Sequence, residues 1–441
     1  MAEKRYVKDE ADLLWRGVRM RVLMLGWEFP PFTSGGLGTA CHGLTKSLCS
    51  QNVDVTFIVP KGEGDRAKTH VNLLVAEDLD RAQAGEEVSF RVKEISTLLK
   101  GYMNSEQYAK VWLEEERTRR EAGEKPASQL YGKNLYEEVH RYANKARMLS
   151  QFEDFDVIHA HDWMTYPAAV QVKESTGKPL VVHIHATEFD RTSDNPNPAI
   201  YEIENTGFQS ADMILAVSEW TRQKLIKHYG VDPSKVQVVH NAVEFTDDKA
   251  CLPEEFPIKR KDKVVLFLGR LTIQKGPEHF LWAAKKVASV EPNVKFVVAG
   301  SGDMESRMVD EAVRLGMSDK VIFTGFLRGP DIDRAYRMAD LYVMPSISEP
   351  FGITPLESLR NGTPTLISKQ SGVSEVLRNC LKVDFWDIDQ MANKMVSVLR
   401  YPELMEELVS NGSTEVHSFS WDIPAQKCRL AYESVLKQRV G

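Results

Sequence analysis

Residues 344–364 read MPSISEPFGITPLESLRNGTP, a stretch that places two carboxylates, a glycine and a helix start within one short span. It follows an apolar run at residues 340–344 with the character of a buried parallel strand. It then enters a helix whose inner face would be Ile353, Leu356, Glu357 and Leu359. Gly352 has no side chain and lets a ligand approach the backbone, while the N–H groups of Phe351, Gly352, Ile353 and Thr354 at the helix start form a site for negative charge. Glu349 stands before that start and Glu357 two turns inside. On a helix the eight-residue step would put both carboxylates near one face, turned toward one cleft.

Carboxylates beside an anion site repel phosphate unless they take hydroxyl groups instead. A ligand carrying both groups suits the stretch, and a nucleotide sugar is such a ligand. The plainer reading is two solvated carboxylates on a surface helix. Spacing alone does not separate the two, since glutamate is common.

The 441-residue chain is long for a single core, so two domains are expected. Its hydrophobic content of 42% and charged content of 27% are those of a soluble globular enzyme. The net charge of −7 speaks against a nucleic-acid or polybasic membrane partner while leaving room for a locally basic cleft. Cys41, Cys49, Cys251, Cys380 and Cys428 are scattered and never spaced C-x-x-C, which reads as free thiols in a reducing compartment. Residues 1–20 mix both charges without a long apolar core, unlike a signal peptide, and no apolar run reaches the roughly 18 residues of a spanning helix. A cytoplasmic location is expected.

Residues 1–18 read as an added arm, followed by a strand at 21–25 and the loop Gly26-Trp27-Glu28-Phe29-Pro30-Pro31, then Gly35-Gly36-Leu37-Gly38. Ala40, Leu44 and Leu48 recur at helical spacing, and residues 53–59 form the next strand. This is a βαβ unit with its glycine loop at a helix N-terminus. Residues 76–126 are heavily charged, which suits a solvated helix, or with Tyr102, Tyr108 and Trp112 an acceptor-binding flap. A strand at 156–159 ends in His159-Ala160-His161-Asp162-Trp163, and one at 180–184 ends at His185 ahead of Glu188 and Asp190. Ligands of open α/β sheets sit at such C-terminal edges. His183 reads as a core residue, and Glu188 and Asp190 as acceptor candidates or loop caps. Further strands at 212–218 and 236–240 lead to Asn241, a turn residue on the plain reading.

Residues 246–263 lose periodicity and mark a linker. A second βα series follows, with strands at 264–268, 294–299, 321–324, 341–344 and 365–367. Arg270 and Lys275 leave the first of these ends within one short loop, and two cations there can clamp one diphosphate. Neither ordered aspartates nor a histidine cluster suggests a metal, so none is expected, and no resident cofactor either.

Glu349-Pro350-Phe351-Gly352-Ile353-Thr354-Pro355-Leu356-Glu357 resembles the E-x7-E signature of retaining glycosyltransferases with the GT-B fold, in the broad glycosyltransferase family 4. Gly269-Arg270 through Lys275-Gly276, His-Asp-Trp at 161–163 and the glycine loop resemble elements of glycogen and starch synthases. The resemblance spans residues 20 to 438 and implies two doubly wound Rossmann-like domains facing a cleft: an acceptor domain at 19–245, a donor domain at 264–418, and residues 419–441 crossing back to the first. It implies that Arg270 and Lys275 hold the leaving diphosphate, Glu349 the donor sugar and Glu357 the ribose, with His185 supporting the transition state. Gly35, Gly36, Asn241, Phe326, Leu327, Phe351, Gly352, Ile353 and Thr354 would line the donor site, and Asp162 and Trp163 would lie near the acceptor.

The chain departs from that pattern in places. Ser34 and Thr33 stand where a lysine is usual, Met164 where a histidine often follows, and Phe351 with Glu357 replaces the starch-synthase form Glu-Pro-Cys-Gly-Leu-Thr. The implied reaction is hexose transfer, glucose foremost, from a UDP- or ADP-sugar to an α-glucan such as glycogen. A small acceptor as in sucrose-phosphate or trehalose synthesis, or a lipid-linked glycan, is the near alternative. A nucleotide-sugar epimerase or a GT-B phosphorylase is the alternative from other classes.

Overall fold

The computed structural model describes residues 19–30, 36–60, 71–75, 105–121, 133–245 and 261–440. Residues 1–18, most of the charged segment at 76–126, Gly35 and most of the 246–263 linker therefore lie outside the described residues. The chain divides into two compact units. The first comprises Met1–His183, Ile203–Leu215 and Ala425–Gly441, and the second Ile184–Glu202 and Ala216–Pro424. Compared with a boundary at 245, this division gives two segments before that position to the second unit. The reason is local bonding: Asp190 and Lys224 both bond Ser348, and Ser218 bonds the carbonyl of Pro350.

The strands are β1 Met20–Leu25, β2 Val53–Val59, β3 Asn72–Val75, β4 Val157–His161, β5 Leu180–Ile184, β6 Met213–Ala216 and β7 Val236–Val238, in a sheet ordered β3-β2-β1-β4-β5-β6-β7. A second sheet, ordered β10-β9-β8-β11-β12-β13, comprises β8 Lys263–Leu268, β9 Val294–Ala299, β10 Val321–Gly325, β11 Leu341–Met344, β12 Thr365–Ser368 and β13 Leu381–Val383. Each sheet reverses its winding once, between β1 and β4 and between β8 and β11. Ligands of doubly wound sheets bind at the carboxyl ends of such strand pairs.

The alternation within β8 explains why the second sheet is covered on both faces. Val265 and Phe267 enter one apolar cluster with Phe296, Val298, Leu341 and Val343. Their neighbours Val264 and Leu266 enter another with Val297, Ala299, Tyr342 and Met344. Successive side chains of a strand point to opposite faces, so a parallel sheet with helices on both sides reads as an unbroken apolar run. The pairings of this sheet are parallel throughout.

In the first unit, β1 pairs in parallel with β2 and β4, and β4 with β5 in a register that sets His161 beside His183. The last helix, Asp422–Val440, buries Ala425, Cys428, Ala431, Tyr432 and Val435, and Tyr432 Oη lies 2.7 Å from His159 Nδ1. No helix among the described residues is long and apolar enough to cross a membrane.

Candidate active site

The two loops at the switch point of the second sheet are laced together before any ligand is considered. After β8 the chain runs through Gly269 and Arg270 into a short 3-10 turn, Ile273–Lys275, and Gly276 then takes φ 62° ahead of the helix Pro277–Ala288. After β11, the Ile347 N–H donates to the Gln274 carbonyl at 2.9 Å. A β-carbon on Gly276 would stand 2.3 Å from the Pro345 carbonyl oxygen. Gly276→Ala is therefore expected to cost about 2–3 kcal/mol through the left-handed φ alone, more with the clash, read as a lower melting temperature.

This lacing aims Lys275 at Glu349. Their Nζ and Oε2 atoms are 2.6 Å apart, and Ser346 Oγ donates to the same carboxylate oxygen at 3.2 Å. Glu349 is buried and Lys275 half-buried, a setting where a charge-assisted bond is stronger than at the surface. Arg270, in the same loop, is exposed. A diphosphate entering here would meet two cations from one loop, and a sugar hydroxyl would meet a carboxylate already held in place.

The expectation that Glu349 and Glu357 share a helix face is corrected. The helix spans only Thr354–Arg360, and Glu349 lies in extended chain, bridged to Ser371. Its N–H donates to the Gln370 carbonyl at 3.0 Å, and its carbonyl accepts from the Gly372 N–H at 2.9 Å. Gly352 turns the chain with φ 99°, and a β-carbon there would press Glu349 Cγ and Met344 at 3.1–3.2 Å. Both carboxylates nonetheless act on one group, since each pushes up the buried Tyr342 phenol. Tyr342 in turn donates to Thr354 Oγ1 at 2.8 Å.

Glu357 accepts from Tyr336 Oη at 3.1 Å, and burial pushes its carboxyl up from its ordinary value against the opposing pull of Arg360. A carboxylate with a raised folded pKa costs stability progressively as pH climbs from its unfolded value through its folded one. Glu357→Gln should therefore flatten that part of the stability curve and raise the melting temperature near neutrality by on the order of 2 °C, measured across pH 4 to 7.

Phe351 is a core residue: its ring is buried in the apolar cluster with Leu356 and Leu359, so only its backbone is available to a ligand. Ile353 and Leu327 pack against the same cluster. Phe326 is exposed at the end of β10, with the Arg328 guanidinium 5.4 Å from its ring centre. That stacked pair is a flat surface of the kind a nucleobase can cover.

His185 lies half-buried at the bend after β5, and Asn241 is buried beyond β7. Asp190 resolves to the cap among its two readings. Its Oδ2 accepts from the N–H and Oγ1 of Thr187 at 2.9 and 2.7 Å, closing a capping box on the helix Glu188–Arg191. Its Oδ1 accepts from Lys224 and Ser348, both at 2.6 Å. Burial opposes its charge, but these donors win and hold its carboxyl below the ordinary range. Glu188 is also buried, facing Arg191 at 3.5 Å, and burial pushes its carboxyl up.

At the switch point of the first sheet, Asp162 follows β4 at φ 60° and is buried, ahead of the buried Trp163 in a 3-10 turn. An aspartate held at positive φ is the kind of local strain that collects at functional sites. The β4 strand continues through His161, two residues past the expected end. It thereby buries His159 and His161 beside His183, with nitrogens within 4.8 Å of one another. This cluster was not foreseen, yet its packing is that of a core. The His159 and His183 rings are stacked only 11° from parallel with centres 5.4 Å apart. A metal is approached near the plane of each imidazole, at about 2.0 Å from nitrogen, and one of these nitrogens, His159 Nδ1, is already engaged by Tyr432 Oη at 2.7 Å.

The glycine loop has a bond of its own at the helix start. Gly36 opens the helix Gly36–Ser50, but the Gly38 N–H of that helix start donates to the buried Glu28 carboxylate at 3.3 Å. A protein carboxylate thus occupies one amide of this helix start, two residues past Gly36.

Two doubly wound sheets, each with functional groups at its switch point, define a GT-B architecture. A family model for glycosyl transferases group 1 matches residues 248–415, and one for Glycosyltransferase Family 4 matches residues 108–246. Residues 108–246 and 248–415 thus carry glycosyltransferase domains of these two kinds, which supports a transferase. It is 28% identical over 434 residues to an uncharacterized glycosyltransferase of Methanocaldococcus jannaschii, covering 95% of this chain and 99% of the relative. It is 24% identical to a glycogen synthase of Mycobacterium tuberculosis, covering 82% and 80% of the two chains.

Among solved structures, sucrose-phosphate synthase from Thermosynechococcus elongatus aligns with a TM-score of 0.69 at 17% identity, over 95% of this chain and all of the other. The Anabaena protein HepE in complex with UDP-glucose aligns with a TM-score of 0.64 at 16% identity, over 94% of this chain and all of the other.

Proposed function

We propose that the chain transfers a hexose, glucose foremost, from a nucleotide-diphosphate sugar to an α-glucan with retention of configuration. The observation that carries the reading is the 2.6 Å contact between Lys275 and Glu349 in a loop that also presents Arg270. Donor binding then works by exchange. The diphosphate draws the Lys275 ammonium and the Arg270 guanidinium to itself, and the Glu349 carboxylate released from Lys275 accepts sugar hydroxyls. Protein cations take the role of neutralising the leaving group. His185 supports the anomeric centre, and Glu357 accepts from the ribose. The exposed Phe326 takes the base, while Leu327, Ile353, Gly352, Thr354 and Asn241 shape the surroundings. The acceptor hydroxyl attacks from the face the diphosphate leaves, with Asp162 and Trp163 near it. The protein works in the cytoplasm on this reading.

The UDP-glucose complex of a similar fold supports a UDP-sugar as one of the two donors, and the glycogen synthase relative supports the glucan acceptor. A second reading, transfer to a sugar phosphate, is supported by the alignment with sucrose-phosphate synthase over its full length. Nucleotide release from UDP-, ADP- and GDP-hexoses, each with glycogen, fructose 6-phosphate or glucose, separates the two. Release that depends on glycogen is the expected result. Release stimulated by a small sugar alone would overturn the glucan acceptor and leave the donor reading standing.

A further inference from the structure

We propose that Ser348, Asp190 and Lys224 form a positioning network that sets the Glu349 carboxylate, an inference that rests on the donor-site reading of Glu349 given above. Ser348 precedes Glu349 in the chain. Its hydroxyl donates to Asp190 Oδ1 at 2.6 Å, and Lys224 Nζ donates to that same oxygen at 2.6 Å and to Ser348 Oγ at 2.8 Å. The other Asp190 oxygen is engaged by Thr187. The whole carboxylate is thus used inside the protein, which removes Asp190 from acceptor binding and gives it a different task.

The residue after Glu349 is held as firmly. The Pro350 carbonyl accepts from Ser218 Oγ at 2.5 Å and from Thr221 Oγ1 at 3.4 Å. Ser218 caps the helix Glu219–Tyr229, and Ser218, Thr221 and Lys224 follow at steps of three along its start. Residues so spaced line one side of a helix. A single helix side therefore grips the chain at residues 348 and 350, and Glu349 is fixed between two anchored neighbours. Gly372 completes the clamp, since a β-carbon there would come within 2.2 Å of the Pro350 carbonyl oxygen and 2.4 Å of Ser218 Cβ.

Asp190 also belongs to the short segment that begins at His185. The two groups assigned to the sugar, His185 and Glu349, are hence tethered to one buried ion pair. An ion pair buried this deeply is retained at a desolvation cost that full hydrogen bonding must offset, and here every oxygen of Asp190 is used. Its function is registry: it fixes where Glu349 sits relative to Lys275.

The test is a double-mutant cycle between Ser348→Ala and Glu349→Gln, with Lys224→Met as a further variant. Displacement of a catalytic group by an ångström lowers turnover by roughly 10- to 100-fold. Ser348→Ala and Lys224→Met should lower kcat within that range while changing the donor KM by a few-fold at most. In the Glu349→Gln background, Ser348→Ala should have almost no further effect, because its action passes through Glu349. A generally loosened fold would instead lose the same factor in both backgrounds. Ser348→Ala removes one hydroxyl and serves even if Lys224→Met does not fold. Wild-type kcat in Ser348→Ala, or equal losses in both backgrounds, overturns the positioning network alone. Wild-type kcat in Glu349→Gln overturns the Glu349 assignment and this inference with it.

Discussion

Lys275→Ala is expected to lower kcat by about 10³-fold, equivalent to roughly 4 kcal/mol of transition-state stabilisation, while the protein still folds. Lys275 is half-buried and bonds one oxygen of Glu349, so truncation removes the cation that the leaving diphosphate would take up. Charge on the leaving group grows along the reaction, so the loss falls on kcat more than on the affinity for intact donor. Steady-state kinetics with the preferred nucleotide sugar reads the effect. Turnover at the wild-type rate would remove Lys275 from the leaving-group site. Lys275→Arg should recover only part of the loss, because a planar guanidinium cannot occupy the position of a compact ammonium within 2.6 Å of Glu349 and under Ser346.

Glu349→Gln is expected to lower kcat by about 10²- to 10³-fold and to raise the donor KM as well. The glutamine keeps the shape of the side chain and a carbonyl oxygen for one donor, but it loses the charge that strengthens bonds to sugar hydroxyls. Two contrasts make the result informative. Glu357→Gln, whose carboxylate bonds Tyr336, should act on donor KM with kcat nearly unchanged, since the ribose lies away from the reacting carbon. The nucleotide diphosphate alone should bind Glu349→Gln about as tightly as it binds the wild type, because it carries no hexose. Calorimetry with UDP or ADP checks this, and a large loss of affinity there would assign Glu349 to the phosphates.

Much of the fold is legible because the parallel strands are continuous apolar runs of four to seven residues between glycine turns. Strands β2, β5 and β9 fall where the pattern puts them. The short strands β3 and β13 escape notice because three or four residues at a sheet edge carry too little pattern. The end of β4 was misread for a physical reason: His159 and His161 look like edge residues, yet His159 stacks on His183 and bonds Tyr432, and the His161 ring tilts against both histidines inside the first unit.

The site is legible in its residue types and less so in its geometry. An eight-residue step implies a shared helix face only if the helix has begun, and Gly352 at φ 99° delays it to Thr354. Asp190 could be recognised as a cap from Thr187 three residues earlier, the spacing of a capping box. Nothing local marks the bonds of Lys224 to Ser348 and of Ser218 to Pro350, which span 124 and 132 residues along the chain. The occupation of the Gly38 amide by Glu28 is a contact between neighbouring loops that a glycine motif does not encode.

The central claim is that the Lys275–Glu349 site transfers a hexose from a nucleotide sugar with its configuration retained. Proton NMR of the anomeric signals during turnover of UDP- or ADP-α-glucose with glycogen follows donor loss, bond formation and stereochemistry together. The account predicts that α-linked product grows as the donor's α-anomeric signal decays, and that Lys275→Ala suppresses both changes. A β-linked product would contradict retention. Donor consumed to free glucose, with no glycosidic signal in the presence of any of the three acceptors, would contradict transfer itself.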